Sequence, residues 1–155
     1  MDLVSLLGGN VALYDLVLAR LRERISDASR RALDPVVRRL LAHPDRRVRR
    51  SAISAAEDFG VATDALVPLV GDAEASVRHA AVGACGRLRL MSLAGAMEAR
   101  LDDDDPEVRA TAASALARLR PESRAAIAEA AAAEECPWVR ARMERSVNEI
   151  ATRNR

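Results

Sequence analysis

The chain has 155 residues, and its 24 basic residues, all of them arginine, nearly balance 23 acidic residues to give a formal net charge of +1. The absence of lysine excludes a Schiff-base lysine and a P-loop lysine, and the near-neutral charge disfavours a general polyanion binder. Hydrophobic residues make up 50% of the chain but aromatic residues only 2%. With alanine supplying much of the rest, this composition predicts an all-α protein with thin helix interfaces.

The N-terminal stretch MDLVSLLGG has no basic region, and its apolar run is too short for a signal peptide or a membrane anchor. The sequence therefore predicts a cytoplasmic protein with no membrane partner. Its three leucines, Leu3, Leu6 and Leu7, either cap the first helical pair or mediate self-association through the N-terminal end. Residues 10–26 predict a helix that begins after Gly8-Gly9, with Asn10 as its cap.

Four stretches in the rest of the chain align with one another around a Val-Arg pair. The pairs are spaced by 29, 31 and 31 residues, at Val48-Arg49, Val77-Arg78, Val108-Arg109 and Val139-Arg140. Further apolar residues follow each valine by four and by eleven positions: Ala52, Ala81, Ala112 and Met143, then Phe59, Leu88, Leu119 and Ile150. Because these offsets fall on one face of a helix, each copy predicts an amphipathic helix.

The residues before each Val-Arg pair are typical of helix starts. Asp105 precedes Pro106 and Glu107, which places a capping carboxylate before a proline at the first helical position. Asp45 has the same offset from Val48, and Cys136 stands before another proline. The sequence therefore predicts helices that begin at these positions.

A second helix is predicted after each of the first three copies, and another before the first copy, from apolar residues in a matching register. These are Val37, Leu66, Met97 and Ala128, followed by Leu41, Val70, Leu101 and Ala132. Antiparallel helix pairs that stack in this way form an α-solenoid. We therefore expect one domain over residues 1–155, with helical hairpins at 10–43, 44–71, 72–101 and 102–134 and a closing helix at 137–152.

These copies resemble HEAT repeats, especially the short HEAT-like type of the phycobilisome lyases. The family pattern has an acidic residue six positions before the arginine, matched here by Asp72-Arg78, Asp103-Arg109 and Glu134-Arg140, whereas His43 replaces the acid before Arg49. The resemblance implies that these acids and arginines form a structural ladder between neighbouring repeats. It covers residues 34–152.

A surplus of arginine in the first half is the main candidate for partner binding. It comprises Arg38, Arg39, Arg46, Arg47 and Arg50. In the aligned second helices, Arg38 is equivalent to Val67, Glu98 and Glu129, and the resemblance implies that these helices line the concave face. The groove would then be basic at one end and acidic at the other, which suits a protein or peptide of mixed charge. The alternative is an ordinary solvated arginine face.

Trp138 is the only tryptophan and stands one position before Val139, where the other copies have polar residues. It predicts either an exposed interface anchor or part of a C-terminal cap.

The sequence contains no arrangement that predicts catalysis, a metal site or a cofactor. His43 and His79 have no partner at ligand spacing, and the DDDD run at 102–105 is accounted for by the ladder, a cap and a solvated turn. Cys85 is expected to be a buried thiol.

A non-catalytic protein-interaction scaffold is the favoured function. Nucleic-acid binding through the arginines and a bilin-lyase-like accessory role are the alternatives, and the lack of aromatic residues near the arginines argues against nucleic acid.

Overall fold

A computed structural model describes residues 26–153, and the predictions for residues 1–25 lie outside this range. The described residues form α-helices and short 3-10 turns, without a strand. The chain divides into two compact units, Met1–Ala81 and Val82–Arg155. Each unit is described by itself.

The described part of the first unit, from residue 26 onward, contains two α-helices followed by short turns. Helix α1 spans Asp27–Leu41 and packs against α2, Arg46–Phe59. Two 3-10 turns, Thr63–Leu66 and Pro68–Gly71, stand where the second helix of this repeat was predicted. Pro68 has no amide hydrogen to continue an α-helical ladder, so the segment is held by i to i−3 bonds instead. Helix α3, Ala75–Arg87, begins in this unit and ends in the second.

The second unit contains four α-helices after the end of α3. These are α4, Ala94–Glu98; α5, Pro106–Leu119; α6, Arg124–Ala133; and α7, Pro137–Arg153. Three 3-10 turns, Met91–Leu93, Ala99–Asp102 and Pro121–Ser123, flank α4 and precede α6. Both α5 and α6 pack against α7.

The predicted helix starts are confirmed. The carboxylate of Asp45 accepts a hydrogen bond from the Arg47 amide at 2.8 Å. Asp105 accepts from the Glu107 amide at 2.9 Å and from the Val108 amide at 3.2 Å. These carboxylates satisfy amides that have no partner within the first turn of a helix.

The predicted core face of the Val-Arg helices is also confirmed. Both apolar positions and the valine itself are buried in all four copies, except that Leu88 is partly exposed. Alanine allows the helices to approach closely, and they do so at Gly86, where an added Cβ would lie 2.8 Å from the Cβ of Ala115. The low aromatic content therefore reflects thin helix interfaces.

The predicted register of the second helices is correct in the first three predicted hairpins and wrong in the fourth, residues 102–134. Ile127 and Ala131 are buried there, whereas Ala132 is exposed and Ala128 partly so. The third hairpin, residues 72–101, has an extra residue, Arg89, in the left-handed conformation with φ 55° before its second helix. The fourth hairpin lacks this residue, so its second helix lies one position earlier in the sequence than the repeat spacing predicts.

The fold class is the all-α solenoid type that the sequence predicts, built from consecutive helices that pack on their neighbours. A helix long and apolar enough to cross a bilayer is not found in residues 26–153.

Candidate functional site

The repeat arginines Arg49 and Arg109 each bind a carboxylate of the following copy. Arg49 donates from Nε and Nη2 to the two oxygens of Asp72, each at 2.8 Å. Arg109 donates in the same way to Glu134, at 2.7 and 2.8 Å. The carboxylates are buried, with 8% and 4% of the side chains of Asp72 and Glu134 exposed. We call each pair a closed rung, in which a planar guanidinium matches a carboxylate through two parallel bonds.

Each closed rung also holds the turn of the arginine's own copy. Nη1 of Arg49 donates to the carbonyls of His43 and Pro44 at 2.9 and 2.8 Å. Nη1 of Arg109 donates to the carbonyls of Asp103 and Asp104 at 2.8 and 3.2 Å. One guanidinium therefore fixes the turn before its own helix and the carboxylate of the next copy.

The side chains of Glu134, Asp72 and His43 each accept a hydrogen bond from the backbone amide two residues later. Glu134 accepts from the amide of Cys136 at 2.9 Å, and Asp72 accepts from the amide of Glu74 at 2.9 Å. His43 accepts from the Asp45 amide through Nδ1 at 3.0 Å. His43 thus replaces the acid as a turn acceptor but carries no carboxylate for an arginine.

The charges of the closed rungs shift the titration of both partners. The hydrogen bond from Arg109 holds the pKa of Glu134 below its ordinary value, although burial opposes this shift. Burial raises the pKa of Asp72, but hydrogen bonds from Arg49 and from the Glu74 amide outweigh it, so the pKa of Asp72 is also lowered. Both acids are therefore held in their ionised form.

The arginine of the last copy is bonded differently. Arg140 donates from both Nε and Nη2 to the backbone carbonyl of Glu134. Within residues 26–153, no carboxylate binds its guanidinium, and the residue is exposed. We call Arg140 the open rung.

Arg38 and Glu98, which the sequence places among the partner-binding candidates, are engaged within the protein. Arg38 donates to Asp34 at 2.6 Å and to both oxygens of Asp64 at 2.6 and 2.8 Å. Glu98 accepts from the Ser123 hydroxyl at 2.6 Å, and Arg120 lies 3.7 Å away. The Asp34-Arg38 pair was visible in the sequence at the i, i+4 spacing of a helix, but its link to Asp64 depends on tertiary folding.

The remaining arginine candidates do not form a uniform cationic cluster. Arg46 donates to Glu74 at 2.9 Å, and Arg39 also takes part in an interaction. Arg47 and Arg50 are exposed, and neither forms an ion pair with another described residue.

A cleft of about 660 Å³ lies in the second unit, and the sequence did not predict it. We call it the acidic cleft because it contains six acidic residues and a single arginine. Its lining comprises Leu101, Asp102, Asp103, Asp104, Arg109, Ala126, Glu129, Ala130, Ala133, Glu134 and Glu135. Glu129 is the only partner-binding candidate from the sequence that lines it. The corrected register also removes the equivalence of Glu129 with Arg38, because Ala128 now takes that position.

The other side chains with reactive or binding potential are separate from the cleft lining. Trp138 is 44% exposed in the first turn of α7. Cys85 is buried, and burial raises the pKa of its thiol to about 12. No cluster of metal-ligating side chains occurs in the part of the chain that the structure describes.

Comparison with known proteins agrees with this architecture. A family model described as HEAT repeats matches residues 63–148, which is more than half of the chain. Comparison with curated proteins finds no match. The match covers the second and third Val-Arg copies in full and most of the fourth, with both residues of the closed rung between the last two. The chain therefore belongs to the HEAT-repeat family.

Proposed function

We propose that the protein is a non-catalytic protein-interaction scaffold whose acidic cleft receives a basic segment of a partner protein. Extended surfaces built from repeated helix pairs are commonly used to bind other proteins. The observation that carries this proposal is the difference between two groups of carboxylates in the cleft.

One group is already used by the fold. Glu134 is buried and bound by Arg109, and Asp103 accepts from Arg100 at 3.2 Å and from the Asp105 amide at 3.0 Å. These acids stabilise the turns and the rung, so they are poor candidates for partner contacts.

The second group is exposed and forms no ion pair with any other described residue. Its members are Asp102, Asp104, Glu129 and Glu135. Four carboxylates around one concavity produce a negative potential that low-dielectric walls concentrate. A cationic segment would relieve the repulsion among them, which gives the cleft its charge preference.

The cleft also has apolar walls that suit long basic side chains. Leu101, Ala126, Ala130 and Ala133 contribute methyl and isobutyl surface. Arginine and lysine bury their methylene stems on such surfaces and keep the charged head near carboxylates at the rim. The proposed ligand is therefore a segment with several arginines or lysines.

The test is a titration of the protein with a labelled helical peptide that carries arginines at i, i+3, i+4 and i+7. The cleft variant is Glu129→Gln with Glu135→Gln, and the matched control is Glu122→Gln with Glu149→Gln, which changes two exposed acids outside the cleft lining. Because exposed ion pairs contribute about 0.2–1 kcal/mol each, we expect the cleft variant to raise Kd by about 2- to 30-fold. Equal losses in the two variants, or equal binding of a peptide with glutamate in place of arginine, would refute the proposal.

A further inference from the structure

We infer that the open rung at the start of α7 is a second docking surface, which binds an acidic turn of a partner protein. This surface is separate from the acidic cleft and comprises Arg140, Pro137 and Trp138. The inference comes from comparing the open rung with the two closed rungs of the same chain.

The comparison begins with the guanidinium donors. In Arg49 and Arg109, Nε and Nη2 hold a carboxylate, and Nη1 holds the carbonyls of the preceding turn. In Arg140, Nε and Nη2 turn back to the Glu134 carbonyl instead. The fork that recognises a carboxylate in the closed rungs is therefore occupied by one neutral acceptor, and an incoming carboxylate would form stronger, charge-assisted bonds with it.

The kind of group that would bind the open rung can be inferred from the carboxylates that the closed rungs bind. Each of their carboxylates also accepts the amide two residues later, at 2.9 Å in both Asp72 and Glu134. The ligand of such a rung is thus an aspartate or glutamate whose carboxylate also stabilises its own turn. We expect the partner to present the same feature, a carboxylate that accepts the amide two residues further along its chain.

The residue two positions after the acid determines a second part of the binding specificity. In the first closed rung, Glu74 lies two residues after Asp72 and accepts from Arg46, three positions before Arg49. The equivalent of Arg46 in the last copy is Pro137, and the equivalent of Arg47 is Trp138. The first turn of α7 therefore offers apolar surface where α2 offers two arginines. A partner with an apolar residue two positions after its acid would match it.

The exposed tryptophan supports a contact at this turn. Trp138 is 44% exposed, whereas large aromatic side chains usually bury most of their surface or serve as interface anchors. Further along α7, the positions of the buried alanines Ala113 and Ala117 of α5 are taken by Glu144 and Asn148, both exposed. Because these polar side chains favour solvent, the docking contact is confined to the start of the helix.

Among the described residues, a second copy of the same chain does not supply the matching turn. Asp72 and Glu134 are held by Arg49 and Arg109, Asp103 is buried, and His43 has no carboxylate. Asp45 and Asp105 also accept the amide two residues later, but that residue is Arg47 or Glu107 and not an apolar one. The partner is therefore a different protein that carries an acidic turn.

The test uses a peptide with the sequence of residues 70–81 and the change Glu74→Leu, so that an acid is followed by an apolar residue at the required spacing. The peptide contains no tryptophan, so Trp138 emission reports binding to the full chain. We expect saturable binding that weakens about tenfold when the peptide carries Asp72→Asn, as expected for the loss of a charge-assisted pair. We also expect weaker binding by the peptide that keeps Glu74.

The protein side is tested with Arg140→Gln, and Arg145→Gln, another exposed arginine of α7, is the matched control. Arg140→Gln should weaken binding about tenfold and remove the preference for aspartate over asparagine at the acid position of the peptide, whereas Arg145→Gln should change neither. Circular dichroism checks that both variants are folded. The inference is overturned by no saturation up to about 1 mM peptide, by equal binding of the aspartate and asparagine peptides, or by equal effects of the two protein variants. Concentration-dependent Trp138 emission without peptide would identify a second copy as the occupant and overturn the assignment to a different protein.

Since this assay does not involve the acidic cleft, its failure leaves the proposed cleft function standing. Loss of arginine-peptide binding to the cleft would likewise leave the open rung untouched. The two experiments therefore separate the two proposals.

Discussion

Replacing Glu134 with glutamine tests whether the closed rung between the last two copies stabilises the fold. Glutamine keeps the shape and one oxygen acceptor, which can still accept from the Cys136 amide, but it removes the charge that faces Arg109. The retained oxygen takes the place of Oε1, which also accepts from Nη2 of Arg109 at 2.8 Å, whereas the amide nitrogen takes the place of Oε2, which accepted from Nε of Arg109 at 2.7 Å. Because an amide nitrogen cannot accept, Nε of Arg109 loses its acceptor.

The magnitude follows from the burial of the pair. Breaking a fully buried ion pair from one side costs about 3–5 kcal/mol, and a charged hydrogen bond contributes about 1.5–3 kcal/mol. The side chain of Glu134 is 4% exposed but that of Arg109 is 19% exposed, so water screens part of the interaction. We expect Glu134→Gln to lower the free energy of unfolding by about 2 kcal/mol, which corresponds to a fall in Tm of about 4–8 °C for a chain of this size.

The loss of stability in Glu134→Gln should depend on pH, whereas a loss of packing alone would not. Hydrogen bonding to Arg109 lowers the pKa of Glu134 in the folded state. The stabilisation is therefore complete above the unfolded pKa of about 4.3 and is lost as pH falls through the lower folded value. The difference between wild type and Glu134→Gln should be full at pH 7 and should shrink as the solution is acidified.

The assay is urea and thermal unfolding followed by circular dichroism at 222 nm, at neutral and acidic pH. Glu135→Gln is the matched control, because Glu135 is the adjacent exposed acid and forms no ion pair with the described residues. The reasoning is refuted if the two variants lose the same stability, or if the loss in Glu134→Gln does not change with pH.

Two further predictions concern packing and thiol burial. Gly86→Ala should destabilise the fold by about 1–3 kcal/mol because the new Cβ would meet Ala115, whereas Gly95→Ala, with open space around its Cβ, should stabilise helix α4 by about 0.5–1 kcal/mol. Denaturant midpoints measure both, and a stabilising Gly86→Ala would contradict the close approach. Cys85, whose thiol is buried and has a pKa raised to about 12, should react with a thiol reagent only on unfolding. Mass spectrometry should find native labelling at Cys136 alone, and labelling of Cys85 in the folded protein would count against its burial.

The periodic features of this protein could be predicted from the sequence because they depend on local chemistry. The Val-Arg spacing identifies the buried helix face, and the Asp45 and Asp105 caps depend on residues within one turn of each other. The apolar face repeats in each copy, so an alignment of the chain with itself detects it. The family resemblance extended this prediction to the identity of the ladder residues.

The register of the fourth hairpin, residues 102–134, could not be predicted from the repeat spacing. The spacing between Val-Arg pairs is constant there, but the turn between the two helices is one residue shorter because it lacks the equivalent of Arg89. A constant spacing between Val-Arg pairs does not reveal this difference, because a residue that is missing from one turn can be added in the next turn. Burial of Ile127 instead of Ala128 required the folded structure.

The sequence by itself determined the Val-Arg helices, their apolar faces and the presence of an arginine in each copy, since these follow from spacing along one helix. Only the tertiary structure decided what each arginine binds. Arg49 and Arg109 meet carboxylates more than twenty residues away, Arg38 is held by Asp34 and Asp64, and Arg140 has only a carbonyl within the described chain. The repeat arginines therefore form closed or open rungs according to the groups that packing brings within about 3 Å of each guanidinium.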